Sequence, residues 1–188
     1  MTETRGYDRA RSISFDYDGV LSTLVLGRAW EKTRARKKAS PLVHSLKNLV
    51  ASLTEGLRKP FPQAEDALRQ LRASQRTLSV LTSRTAERIT AAERWLARYA
   101  WKEMFERVFY NADGEDADRF KARIIGSQGI DVHVDDDAEA LAFLSRQFPG
   151  KLFVHMNCYG RKSPAGANIV VVHSWGEVRA LFSLRRTS

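Results

Sequence analysis

Polar and apolar residues alternate through Ser12-Ile13-Ser14-Phe15, and the alternation stops at Asp16-Tyr17-Asp18-Gly19. This predicts a short strand opening into an acidic turn. Residues 22–60 carry no strand signal. Leu42, Val43, Leu46, Leu49, Val50, Leu53 and Leu57 instead recur at helical spacing, predicting an amphipathic helix with Pro41 in its first turn and Ser40 as its cap. A further helix across 25–38 precedes it, and Pro60 and Pro62 then break the chain. Ala64, Ala67, Leu68 and Leu71 mark a helix leading into a strand over 77–82 that ends in hydroxyls. The pattern continues with a helical stripe at Ile89, Ala92, Leu96 and Tyr99, a strand at Val108-Phe109-Tyr110 and a helix over 120–127. Val132-His133-Val134 then runs directly into Asp135-Asp136-Asp137. A helix over 138–147, strands over 152–155 and 169–172, and a terminal helix over 175–184 complete the chain.

Strands alternating with helices of this length predict an α/β fold with a Rossmann-like, mostly parallel sheet flanked by helices. In such sheets ligands sit beyond the carboxyl ends of the strands, where this chain places its acids and hydroxyls. The expected organisation is one core domain built from 1–21 and 61–188, with a small helical cap inserted at 22–60. The 188 residues suffice for a core of that kind.

Lys and Arg outnumber Asp and Glu by 31 to 22, giving a formal charge of +9 that favours anionic partners. Small phosphorylated molecules fit this charge; nucleic acid is admitted by it without being favoured. The cluster from Arg28 to Lys38 sets six cations against Glu31 and reads either as a solvated helical face or as a phosphate-attracting rim. No apolar run reaches the roughly 20 residues of a membrane span. The polar start Met1-Thr2-Glu3-Thr4-Arg5 does not resemble a signal peptide, so the expected location is the cytoplasm. Cys158, the lone cysteine, excludes an internal disulfide and reads as a small buried residue.

Asp16 and Asp18 fall where the chain leaves its first strand, and Gly19 permits the sharp turn that lets both acids converge. Two carboxylates about 4 Å apart repel by roughly 4 kcal/mol at an effective dielectric near 20, so such a pair calls for a cation or a shared proton. An Asx-type turn with solvated acids is the plain alternative. In order, the chain then offers Thr82 at a second strand end, Lys121 at a helix start, and Asp135 with Asp136 after a third strand. This series resembles the four motifs of the haloacid dehalogenase superfamily of phosphatases and phosphotransferases, over residues 10 to 140.

The resemblance implies a Mg²⁺-dependent phosphomonoester hydrolase with a small phosphorylated substrate, possible nucleotides included. It implies that Asp16 is the nucleophile forming an aspartyl-phosphate, and that Asp18 is the general acid and base. Thr82 would bind the phosphoryl oxygens and Lys121 would neutralise charge on them. Mg²⁺ would be held by Asp16, the Asp18 carbonyl, Asp135 and Asp136. Ser83 competes with Thr82 as the motif hydroxyl, either being able to cap the following helix. Arg84 reads as a supporting or substrate contact, while Arg119, Lys162 and the basic cluster of 28–38 compete with Lys121. Asp136 and Glu139 also fit a capping box, with Asp137 left on the surface. His44, His133, His155 and His173 show no metal-ligand spacing and read as strand, helix or core residues.

Two other functions share parts of this pattern. Phosphatase action at nucleic-acid ends is supported by charge alone. A receiver-type phosphoacceptor module also gathers acids, a hydroxyl and a lysine around Mg²⁺, but here the final acidic cluster follows the lysine, which argues against it.

Overall fold

The computed structural model describes residues 7, 9–23, 57–160 and 162–182. The helices expected across 25–38 and 42–56, the basic cluster of 28–38 and the last residues of the terminal helix lie outside them. The described elements are β1 (Ser12–Phe15), α1 (Ala64–Ala73), β2 (Thr77–Thr82), α2 (Ala86–Arg98), a 3₁₀ turn at Lys102–Met104, β3 (Arg107–Tyr110) and α3 (Ala117–Ser127), followed by β4 (Val132–Asp135), α4 (Ala138–Gln147), β5 (Leu152–Met156), β6 (Ile169–Val172) and α5 (Trp175–Phe182).

All six strands pair in parallel, in the order β3-β2-β1-β4-β5-β6. The chain builds outward from β1 through β2 to β3, then returns to the other side of β1 with β4. The β1/β4 boundary is therefore the topological switch point, the place where an open parallel sheet leaves a crevice at its carboxyl end. Asp16 follows β1 and Asp135 ends β4, so the two acids that the sequence separates by more than a hundred residues stand on neighbouring strands.

Alternation along the strands divides the core into two layers. Ile13, Phe15, Leu78, Val80, Val132, Val134, Val154 and Met156 point to one face, where they pack with Leu68, Trp95, Trp175 and Val178. The opposite face buries Leu81 and Phe153 under Phe120, Ile124, Leu141 and Leu144 of α3 and α4. This second face also takes the polar positions of the central strands, Ser14, Ser79, His133 and His155, all of them buried. Buried polar groups in a packed layer require partners, and those of Ser14, His133 and His155 lead toward the site.

Phe15 stacks on Trp175 with ring centroids 5.4 Å apart, and the Trp175 indole donates to the Val20 carbonyl at 2.9 Å. The loop after β1 is thus tied into the larger layer. Tyr17, fully buried, sets its ring edge against Trp95 at 5.3 Å, which directs the neighbouring Asp16 and Asp18 away from that layer. The stems of the 22–60 segment meet: Thr23 N donates to the Lys59 carbonyl at 2.9 Å, and Ser22 bridges Pro60 in antiparallel fashion.

Three local expectations shift. Asp116 caps α3 by accepting from the amides of Asp118 and Arg119, so the helix begins at Ala117 and Lys121 lies one turn inside it. Neither Thr82 nor Ser83 caps α2, whose N-cap is Thr85. Cys158 is only half-buried, and burial pushes its thiol up to about 11, leaving it protonated at neutral pH. Among the described residues, no helix is long and apolar enough to cross a membrane.

Candidate active site

Asp16 leaves β1 with its amide donating to the Val134 carbonyl at 2.9 Å, which holds the residue against the end of β4. The residue is 5% exposed. Lys121, on the buried face of α3, reaches across to donate from Nζ to Asp16 Oδ1 at 3.1 Å and to Asp135 Oδ2 at 2.5 Å. The competing cations Arg119 and Lys162 are exposed. Asp135 Oδ1 accepts from the Asp137 amide at 3.0 Å, so both oxygens of this carboxylate are held.

The capping box expected at Asp136 and Glu139 does not form, and the cap lies one residue later. Asp137 is the N-cap of α4, accepting from the amides of Glu139 and Ala140, and it is half-buried rather than a free surface acid. A cap carboxylate must reach amides two and three positions ahead, and β4 runs through Asp135, which delays the helix start. Asp136 is thereby left out of the cap and joins Asp16 and Asp135: one oxygen from each of the three lies within 4.8 Å of the others, all three residues being buried. Gly19 at φ +78° lets the turn after Asp18 pass directly beside Asp136.

The electrostatics follow from that crowding. Burial, foremost, raises Asp16 to about 7, with Asp135 and Asp18 adding repulsion and the Lys121 ammonium opposing it. Burial also acts upward on Asp135, but Lys121 and His133 outweigh it and hold that carboxyl well below the usual range. Lys121 itself is penalised by burial yet pushed up by Asp135 and Asp16, so it stays charged. Three carboxylates and one ammonium sum to a formal −2. A divalent, oxygen-preferring cation such as Mg²⁺ fits both the donor set and that charge.

Asp18 takes another direction. Both of its oxygens are gripped by Arg84, at 2.9 Å from Nε and 2.9 Å from Nη2, and Oδ1 also meets Arg58 at 2.6 Å. Against the upward push of burial, the two guanidiniums hold this carboxyl well below its ordinary value. The Arg84 guanidinium lies 4.4 Å from the Tyr17 ring centroid, so the residue between the two acids also seats the cation that restrains the second one. The expected convergence of Asp16 and Asp18 therefore stops at the backbone, because the stronger partners of Asp18 are arginines.

Thr82 is buried at the carboxyl end of β2, while Ser83 is half-exposed beyond it. The Thr82 hydroxyl accepts weakly from the Arg84 amide at 3.4 Å. Two residues of the site were not legible as such. Arg58, the far stem of the 22–60 segment, carries no periodic signal. His133 has its Nε2 3.1 Å from Asp135 Oδ2, and its polar phase two residues before Asp135 was the only available cue. His155, paired in register with Asp135, places Nε2 3.2 Å from the Asp136 carbonyl.

No protein-family model and no curated protein sequence matches the chain. Solved structures do. A candidate phosphatase from Clostridium difficile is 12% identical with a TM-score of 0.66, the alignment covering 93% of this chain and 99% of that one. A haloacid dehalogenase-like hydrolase from Streptococcus pneumoniae is 13% identical over 93% of this chain and 99% of its own, with a TM-score of 0.65. An L-2-haloacid dehalogenase is 13% identical over 92% and 98%, with a TM-score of 0.62. The chain has the fold of the haloacid dehalogenase superfamily of hydrolases.

Proposed function

We propose that this protein is a metal-assisted phosphomonoester hydrolase that works through an aspartyl-phosphate on Asp16. The observation that carries the reading is the buried meeting of Asp16, Asp135 and Asp136 with Lys121 at the switch point of the sheet. Mg²⁺ held by Asp16, Asp135, Asp136 and the Asp18 carbonyl would neutralise the carboxylates and the incoming phosphoryl group, which otherwise repel. Residues 22–60 are read as a cap for this site, and their described stems meet beside Asp18, where Ser22 bridges both Asp18 and Pro60.

In the first half-reaction an Asp16 oxygen attacks phosphorus and the bond to the ester oxygen breaks. Lys121 stabilises charge on the phosphoryl oxygens and on the nucleophile, while Thr82, Ser83 and Arg84 supply further donors. The leaving alkoxide takes its proton from Asp18. In the second, water attacks the same phosphorus, gives its proton to Asp18, and inorganic phosphate departs with Asp16 restored. Asp18 exchanges at least one guanidinium contact before it carries a proton, since Arg84 and Arg58 engage both of its oxygens.

The resemblance to dehalogenases gives a second reading. A halide leaves without protonation, so a general acid beside the nucleophile has no task in the displacement step of that chemistry, whereas an anionic phosphoryl group approaching three carboxylates needs a cation to offset the repulsion. Both features favour the phosphate ester. The test is a panel of phosphorylated metabolites and 2-haloacids, scored for phosphate and halide release with Mg²⁺ and with chelator. Mg²⁺-dependent phosphate release supports the proposal; halide release alone, unaffected by chelator, replaces it with the second reading.

A further inference from the structure

Ser14 and His133 are direct partners in the parallel pairing of β1 with β4, and Asp135 lies two residues beyond His133 on the same face. The three side chains therefore form a line running toward the carboxyl end of the sheet. The Ser14 hydroxyl is 2.8 Å from His133 Nδ1, and His133 Nε2 is 3.1 Å from Asp135 Oδ2. Ser14, His133 and Asp135 are at most 1% exposed. Buried polar chains of this kind are rigid only when every donor and acceptor is matched.

One arrangement of protons matches them all. Asp135 Oδ2 already accepts from Lys121, so it accepts again from the imidazole, which places the ring proton on Nε2. Nδ1 is then bare and accepts from the Ser14 hydroxyl. We propose that His133, seated by Ser14, is a positioning residue that orients the Asp135 carboxylate toward the cation. The inference rests on the metal-assisted reading above.

Lys121 alone is a poor anchor for Asp135, because it also serves Asp16 and can follow either carboxylate. A neutral imidazole supplies the second donor without adding a positive charge that would oppose a divalent cation. The Asp137 amide fixes the remaining oxygen. Three donors from three elements thus set the carboxylate plane before any ligand arrives, a supporting role of the kind whose loss typically weakens metal binding by 10–100-fold.

The test is Mg²⁺ affinity, read from the metal-induced rise in melting temperature of the full chain. His133→Phe, which keeps the ring shape and removes both polar atoms, is expected to weaken binding by about tenfold or more. His133→Gln restores a donor and should recover much of the loss. Ser14→Ala, a small change that also serves if His133→Phe does not fold, should give a lesser loss. Because Ser14 acts through His133, the double variant Ser14→Ala/His133→Phe should bind no more weakly than His133→Phe alone. Wild-type affinity in folded His133→Phe or in Ser14→Ala, failure of Gln to recover affinity, or additive losses in the double variant would each overturn the inference while leaving the metal site intact. A wild-type protein whose melting temperature ignores Mg²⁺ would overturn the metal reading itself, and the inference with it.

Discussion

Gly19 lies against Asp136 so closely that a Cβ built on it would sit 2.3 Å from Asp136 Oδ2. Its φ of +78° adds a second reason for glycine, since an L side chain is strained there by about 1–2 kcal/mol. Gly19→Ala should therefore push Asp136 out of the carboxylate group as well as destabilise the fold. The expected result is a lower melting temperature together with weakened Mg²⁺ binding. A variant that loses stability but binds Mg²⁺ like the wild type would remove Asp136 from the metal site.

Mg²⁺ binding to the native state should raise the melting temperature, by mass action. Asp135→Ala is expected to abolish most of that rise. Without metal the variant both loses the ion pair of Asp135 with Lys121 and relieves repulsion on Asp16, so the metal-induced increment is the quantity to compare. An increment equal to that of the wild type would place the metal elsewhere.

Asp16 gives stability a pH dependence in the metal-free protein. Its folded pKa, raised mainly by burial to about 7, exceeds the ordinary value of an aspartate in the unfolded chain, so the native state retains a proton that the unfolded chain has lost. The stabilising contribution of protonated Asp16 is full below the lower value and is lost as pH rises through the upper one. Asp16→Asn cannot ionise. The melting-temperature advantage of this variant should grow between about pH 4 and pH 7 and level off above, in chelator. A difference between the two proteins that does not vary across that window would show that Asp16 ionises normally.

Arg84→Gln removes the bidentate grip on Asp18 and with it the largest influence holding that carboxyl ionised. With Asp18 as the acid, the basic limb of the kcat profile should move to higher pH. An unmoved limb alongside a raised KM would instead make Arg84 a substrate contact only.

The sequence outlined the sheet well wherever a strand or helix had its own periodicity. Ile169–Val172 and Ala138–Gln147 occur as expected, because a continuous apolar run and an amphipathic stripe are each visible without any distant partner. Asp16, Lys121 and Asp135 were named from their places at element ends, and the parallel topology brings them together. What the sequence hid depends on distant partners. The grip of Arg58 and Arg84 on Asp18 closes contacts across 40 and 66 residues with no shared periodicity. His133 was read as an ordinary strand residue, since nothing in the chain says that Ser14 stands beside it. The exchange of capping role between Asp136 and Asp137 turns on one residue of strand length, finer than three consecutive acids can specify.

The central claim is that Asp16 is the nucleophile of a phosphate-ester hydrolase. Its most direct measurement is Mg²⁺-dependent phosphate release by the wild type and by Asp16→Asn, whose amide nearly preserves size but cannot form the acyl-phosphate, with folding of both checked by melting. The account predicts that the folded variant loses more than about a hundredfold in turnover, the lower scale for a direct catalytic group. Phosphate release at the wild-type rate by folded Asp16→Asn would contradict it.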